Sequence, residues 1–374
     1  MPTLVAAPTA HPSPTPRVEP LGELGREIEI GAIDPASTWP LGAFASDGDA
    51  IYFGSGIADG PDGDVAPDLW RQVPGEDRPE LIWRNPQRDR LLAVIAGDLG
   101  TVAFADMDAN GNKDWDLRVL PEPDGDPVLL DSHPGDDEVS GLLPSVAVYE
   151  DRVVWTAFDR GPSGPVSQLL LATAPDWTPS VLLERDAEEA ELWLPSLRGE
   201  RFVYCEVRYN ADRTADERHV FLADILMREP PRRLDTSGRA TMPLLVDNGV
   251  IWKETDSGFN MFNWGTLVFW NELSDEMRPI RSRLQEDVNY PSAGERFVAV
   301  RGYDPTVFAL YDGDLAQWRL IDRYDIESGR SVVRAHVGVS LLVWLETAGT
   351  DESHPGRLRY AFLPAAGTDR LRGG

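Results

Sequence analysis

The run Asp106-Met107-Asp108-Ala109-Asn110-Gly111-Asn112-Lys113-Asp114 places side-chain oxygens at positions one, three, five and nine of a loop, from Asp106, Asp108, Asn110 and Asp114. Alternate residues aimed at one centre suit a hard, oxygen-seeking cation such as Ca2+, and Gly111 at position six permits a tight bend. Leu117 stands where an EF-hand would carry its bidentate Glu, so the role expected of an ion here is structural, stiffening a hairpin. The same residues also read as an Asn-Gly turn between two strands, because both types tolerate positive φ.

Other chemistry-bearing residues are scattered. His11, His133, His219, His336 and His354 form no pair at metal-ligand spacing, and neither a Gly-x-Ser-x-Gly elbow nor a Gly-rich phosphate loop occurs. The single cysteine, Cys205, sits in the apolar run Phe202-Val203-Tyr204 and reads as a small core side chain. His219 follows the acidic stretch 210–217 and reads as a surface residue. Phe259, Phe262 and Trp264 crowd one segment, either as a docking patch or as packing between neighbouring units.

A formal charge of −28, from 63 acidic and 35 basic residues in 374, would repel a phosphate backbone, which excludes nucleic acid as the expected partner. Hydrophobic residues at 42% with twelve tryptophans supply a core, so 33 glycines and 31 prolines mean turns rather than global disorder. The first twenty residues hold six prolines and no apolar periodicity. Residues 1–24 therefore read as a flexible tether, 25–366 as one domain and 367–374 as a tail. No apolar run reaches the length of a membrane span.

The elements that must position these residues repeat. Short β-rich runs that follow a turn and end on an aromatic recur at Phe53, Phe104, Trp155, Tyr204, Trp252 and Trp344, with Ala299 at the sixth place. A second run follows each of them, and the spacing, which falls from 51 to 45 residues, fits four short strands per unit. That is the size of one β-propeller blade. Helical signals are nearly absent; the acidic stretch 188–192 is the best candidate and too short to stand alone. The expected fold is an all-β propeller of seven four-stranded blades, with six or eight blades as the alternatives. The segments 26–33 and 39–44 are expected to complete the last blade as its third and fourth strands, which removes free sheet edges.

In a closed ring, equivalent turns share one face. Asp49, Asp98, Asp151, Glu200, Asp247 and Glu295 occupy the turn before each anchor, and they could encircle a channel mouth that draws a cation or a basic peptide, or serve as solvated turns.

Units such as 144–159, 195–226 and 247–273 resemble the TolB-like propeller repeats of bacterial envelope and surface proteins, and the loop at 106–114 resembles the calcium loop of integrin-type propellers. The second resemblance implies the Asn112 carbonyl as a further ligand. The first implies the fold and hardly any particular activity, since such propellers serve as docking platforms, ligand binders and appendages of hydrolases. The expected function is a monomeric, noncatalytic scaffold that binds a protein, small molecule or glycan at its mouth, in an extracytoplasmic setting. A carbohydrate-active enzyme working with funnel carboxylates is the alternative.

Overall fold

The structure is a computed structural model. It describes residues 22–23, 30–33, 43–55, 68–76, 78–87, 90–108, 114–122, 124–134, 143–210, 215–255, 265–280, 288–294, 296–302, 307–312, 317–323, 330–348 and 356–363. Seven sheets account for every strand among them.

Each sheet is one blade. The inner strands are Phe44–Ser46, Arg90–Asp98, Val146–Tyr149, Ala190–Arg198, Ala240–Val246, Val288–Ala293 and Arg330–Val337. Each touches the inner strand of the next blade, and that of blade 7 touches that of blade 1, so the ring is closed. Second strands, Ile51–Ser55, Thr101–Asp108, Arg152–Gly161, Arg201–Tyr209, Gly249–Glu254, Phe297–Gly302 and Leu341–Ala348, carry the anchors. All seven anchor side chains are buried. Third strands follow as antiparallel partners, and the outer strands of blades 1 to 6 are Glu80–Trp83, Val128–Pro134, Ser180–Asp186, Arg232–Arg233, Glu276–Ile280 and Gln317–Arg323.

The core is divided among seams. Alternation along a strand presents one set of side chains to the preceding blade and the other to the next. Among the described residues every seam holds an apolar cluster, with a small second one of Phe158, Ala187 and Trp193 between blades 3 and 4; Trp155 packs with blade 2 residues such as Leu117, and Trp344 with Phe308 of blade 6. Fully burying one such aromatic contributes about 1.5–3 kcal/mol.

Closure differs in phase from the sequence expectation. Ile30–Ile33 pairs antiparallel with Gly356–Phe362 and is the outer strand of blade 7. Phe44, the end of the 39–44 segment, instead opens the inner strand of blade 1. The anchor marks the second strand of a sheet, so the last strand of each sequence unit belongs to the following blade, and blade 7 lacks one strand where the sequence unit appeared to lack two. Gly22–Glu23, within the expected tether, adds a fifth strand parallel to Gln317–Arg323 on blade 6. Residues 1–21 and 364–374 lie outside the described residues. Among the described residues there is no helix; the acidic stretch at 187–189 is a turn that leads into the inner strand of blade 4. Among the described residues no helix is long and apolar enough to cross a membrane.

Candidate functional site

The inner strands line an axial cavity of about 570 Å³, with walls from Ala93–Asp98, Leu143–Tyr149, Leu194–Arg198, Met242–Leu245, Pro291–Gly294 and Arg334–Val339. A recurring irregularity shapes it. The pairing of inner with second strand slips between Leu92 and Val94, Trp193 and Ser196, Thr241 and Leu244, Asn289 and Ser292, and Val332 and Arg334. Three of these bulges hold a proline, Pro195, Pro243 or Pro291, which has no N–H to forfeit where the ladder is already broken. Leu194 and Met242, each before its proline, take φ of +51° and +52°, a costly conformation for a residue with a Cβ. Serines beyond the bulges close the wall: Ser196 Oγ accepts the Leu245 N–H and Ser292 Oγ the Val337 N–H of the next blade, both at 3.0 Å.

Arg198, Arg334, His336 and Asp98 bring the charged and titratable chemistry, with Tyr149. Asp98 Oδ2 accepts the Glu150 N–H at 3.2 Å, and Arg198 pairs with Asp247. Burial lowers the His336 imidazole to about 4, against a smaller opposing hydrogen bond with the Ser46 main chain, so the ring is neutral near pH 7. Its Nε2 is shut off from solvent without a partner. An apolar cage with few polar points is the common make-up of a small-ligand site.

The turn carboxylates are largely occupied. Asp98 is bonded to blade 3 and Asp247 to Arg198 of blade 4. Asp151 lies 3.6 Å from Arg152, whose Nη1 donates to the Gly199 carbonyl of blade 4 at 3.0 Å, while Glu200 meets Arg228 at 2.7 Å. Asp49 is exposed, and Glu295 lies outside the described residues. Ser340 Oγ donates to the Gly48 carbonyl, which joins blade 7 to blade 1 in the same collar. These turns act mainly as latches between blades.

Of the 106–114 run, the described carboxylates of Asp106 and Asp114 are held by basic side chains. Asp106 Oδ1 accepts from Arg90 Nε at 2.8 Å, and Oδ2 accepts from Arg118 at 2.9 Å and Asn85 Nδ2 at 2.8 Å. Asp114 Oδ1 takes Arg90 Nη1 at 3.1 Å. A divalent cation would meet two guanidinium groups already bound to the carboxylates expected to ligate it. Desolvation raises Asp106 above the usual carboxylate range despite both arginines. Asp108 has a partner of its own, and Asn110 and Asn112 lie outside the described residues, as do Phe259, Phe262 and Trp264.

Cys205 is buried, its thiol pushed up to about 12, which suits a core side chain. His219, by contrast, is no surface residue: it is 1% exposed and lies between Asp235 at 3.2 Å and Glu217 at 2.8 Å. Alternation explains this, since residue 219 lies well inside the third strand of blade 4, on a face that a neighbour covers. Arg198, Arg334 and His336 do not stand out in the sequence as site residues. The signal that points to them is the repeated proline in the inner strands, as in Leu194-Pro195-Ser196 and Tyr290-Pro291-Ser292.

No protein-family model and no curated protein matches the chain. Among solved structures, the propeller domain of the Trilobed protease from Pyrococcus furiosus matches with a TM-score of 0.62 at 9% identity, over 87% of this chain and 93% of that one. An oligogalacturonate lyase in complex with manganese matches at 0.52 and 11% identity, over 90% and 96%. TolB from Acinetobacter baumannii matches at 0.44 and 10% identity, over 85% and 78%. At such identities the likeness is one of fold: the chain is similar to β-propellers of widely different activity.

Proposed function

We propose that this chain is a noncatalytic, ligand-binding propeller whose site is the axial cavity, and that its ligand joins an apolar body to an acidic end. The carrying observation is the cavity itself, beside bulges in five inner strands, with Arg334 and His336 among its largely apolar walls. The Arg334 guanidinium supplies a fixed positive charge at the cavity wall, the kind of group that receives an acidic end. Main-chain latches and ion pairs around the ring keep the walls in place, which lowers the ordering cost of binding. The setting that goes with this reading is extracytoplasmic, suggested by the Pro-rich opening stretch.

A glycosidase-type site would need two carboxylates facing each other across the funnel. The described lining offers Asp98 alone, and Asp98 is bonded to the Glu150 main chain. The reading is tested by filling the cavity: Ala96→Phe should abolish ligand binding measured by calorimetry, while Leu129→Ser on an outer strand should leave it unchanged. Equal binding by both variants would place the ligand elsewhere.

A further inference from the structure

Among the described residues three arginines are buried: Arg90, Arg218 and Arg296. Arg90 is held by Asp106 and Asp114, and Arg296 makes a two-pronged bond to the buried Asp312 at 2.8 and 2.6 Å. Arg218 differs from both. It is 6% exposed, its Nη2 donates to the Thr255 hydroxyl at 2.9 Å, and its Nη1 is shut off from solvent with no acceptor.

Among the described residues no carboxylate pairs with Arg218. The Cys205 thiol, close enough for both Arg218 and Thr241 to act on it, stays protonated because burial lifts it to about 12. Asp235 spends its oxygens on the His219 ring and on the N–H groups of Val220 and Gly238. A second cation lies close by: Lys253 is fully buried, and burial together with the Arg218 charge lowers its ammonium to about 8. Lys253 pairs across the strands with Thr241, whose Oγ1 is also buried without a partner.

A buried guanidinium remains charged at any physiological pH, and one that has lost both hydration and its ion partner is strongly destabilising. A small anion between Arg218 Nη1 and Thr241 Oγ1, beside Cys205, would satisfy both groups at once. We propose that the seam between blades 4 and 5 binds a compact monoanion, with the chemistry of chloride or a small carboxylate, received by Arg218 and Thr241 under the positive field of Lys253. The site is separate from the axial cavity, since none of these three residues lines it. Because Arg218 comes from blade 4 and Thr241 and Lys253 from blade 5, the anion ties the two blades together.

The test is thermal unfolding in sodium gluconate, replaced stepwise by sodium chloride or sodium formate at fixed ionic strength, so that general screening of the acidic surface stays constant. Binding to the folded state raises Tm with the logarithm of anion concentration above Kd, by about 2–4 °C for each kcal/mol gained in a chain of this size or somewhat less. Wild type should show that rise with at least one of the two anions. Arg218→Met should show none and should match or exceed wild type in gluconate alone. A flat wild-type response to both anions, or the same slope in Arg218→Met, would overturn the proposal. Should Arg218→Met fail to fold, bromide-soaked crystals of the wild type decide: an anomalous peak at hydrogen-bond distance from Arg218 Nη1 supports the site, and an empty seam rejects it. Chloride or formate response separates the inorganic from the carboxylate source.

Discussion

Arg90 and Asp106 meet at 2.8 Å, Nε on Oδ1, with side-chain exposures of 6% and 1%. Around them Arg118, Asn85 and Asp114 complete a network that joins the inner, second and third strands of blade 2 to the loop after blade 1. Removing one partner of such a pair strands the other in a low-dielectric interior. Asp106→Ala should cost about 3–5 kcal/mol in urea unfolding, whereas loss of less than about 1 kcal/mol would mean that Arg90 reaches water or another acid.

The same network sets an expectation for metal. With Arg90 and Arg118 in place, the melting temperature should be equal in excess EDTA and in millimolar Ca2+. A clear calcium-dependent rise that Asp106→Ala removes would show that the guanidinium groups yield to the ion.

Ring closure rests on Ile30–Ile33, four residues paired with Gly356–Phe362. Backbone hydrogen bonds contribute roughly 0.5–1.5 kcal/mol each. Removing residues 1–36 should therefore lower stability by about 2–6 kcal/mol and expose a sheet edge prone to association. Truncation before Gly22 should leave the melting temperature unchanged. Equal stability of the long truncation and the parent would refute closure by this strand.

His336 makes stability depend on pH. Its folded value of about 4 lies below the ordinary 6.5, so the unfolded chain takes up a proton first as pH falls. The stabilisation is present above pH 6.5 and is lost progressively toward pH 4, up to about 3 kcal/mol at 1.36 kcal/mol per unit. Many carboxylates titrate in the same range, so the reading is the difference between wild type and His336→Gln. Parallel curves for the two proteins would place the His336 ring in contact with water.

The seven anchors explain why the fold is legible in the sequence. A buried aromatic one strand from the axis recurs in six blades, with Ala299 in its place in blade 6, and Trp155, Trp252 and Trp344 mark the period without reference to loops. The phase of the period is not legible, because alternating strands look alike whether they lie first or last in a sheet, and so the 39–44 segment reads as part of the wrong blade. At the candidate site the difficulty is charge. Acidic turns near Asp98 and Asp247 look like a ring of open carboxylates, but their partners, the Glu150 main chain and Arg198, are set by neighbouring blades about fifty residues away in the chain. In the same way Arg90 and Arg118 stand outside the 106–114 pattern yet decide what Asp106 can bind.

The most direct measurement is a thermal-shift comparison of one arylalkyl body carrying a carboxylate, an amide or an ammonium group, on wild type and on Arg334→Ser. The carboxylate should raise the melting temperature of wild type, the amide should do so less, and Arg334→Ser should lose the carboxylate's advantage. A preference for the ammonium, or a carboxylate shift that survives Arg334→Ser undiminished, would contradict it.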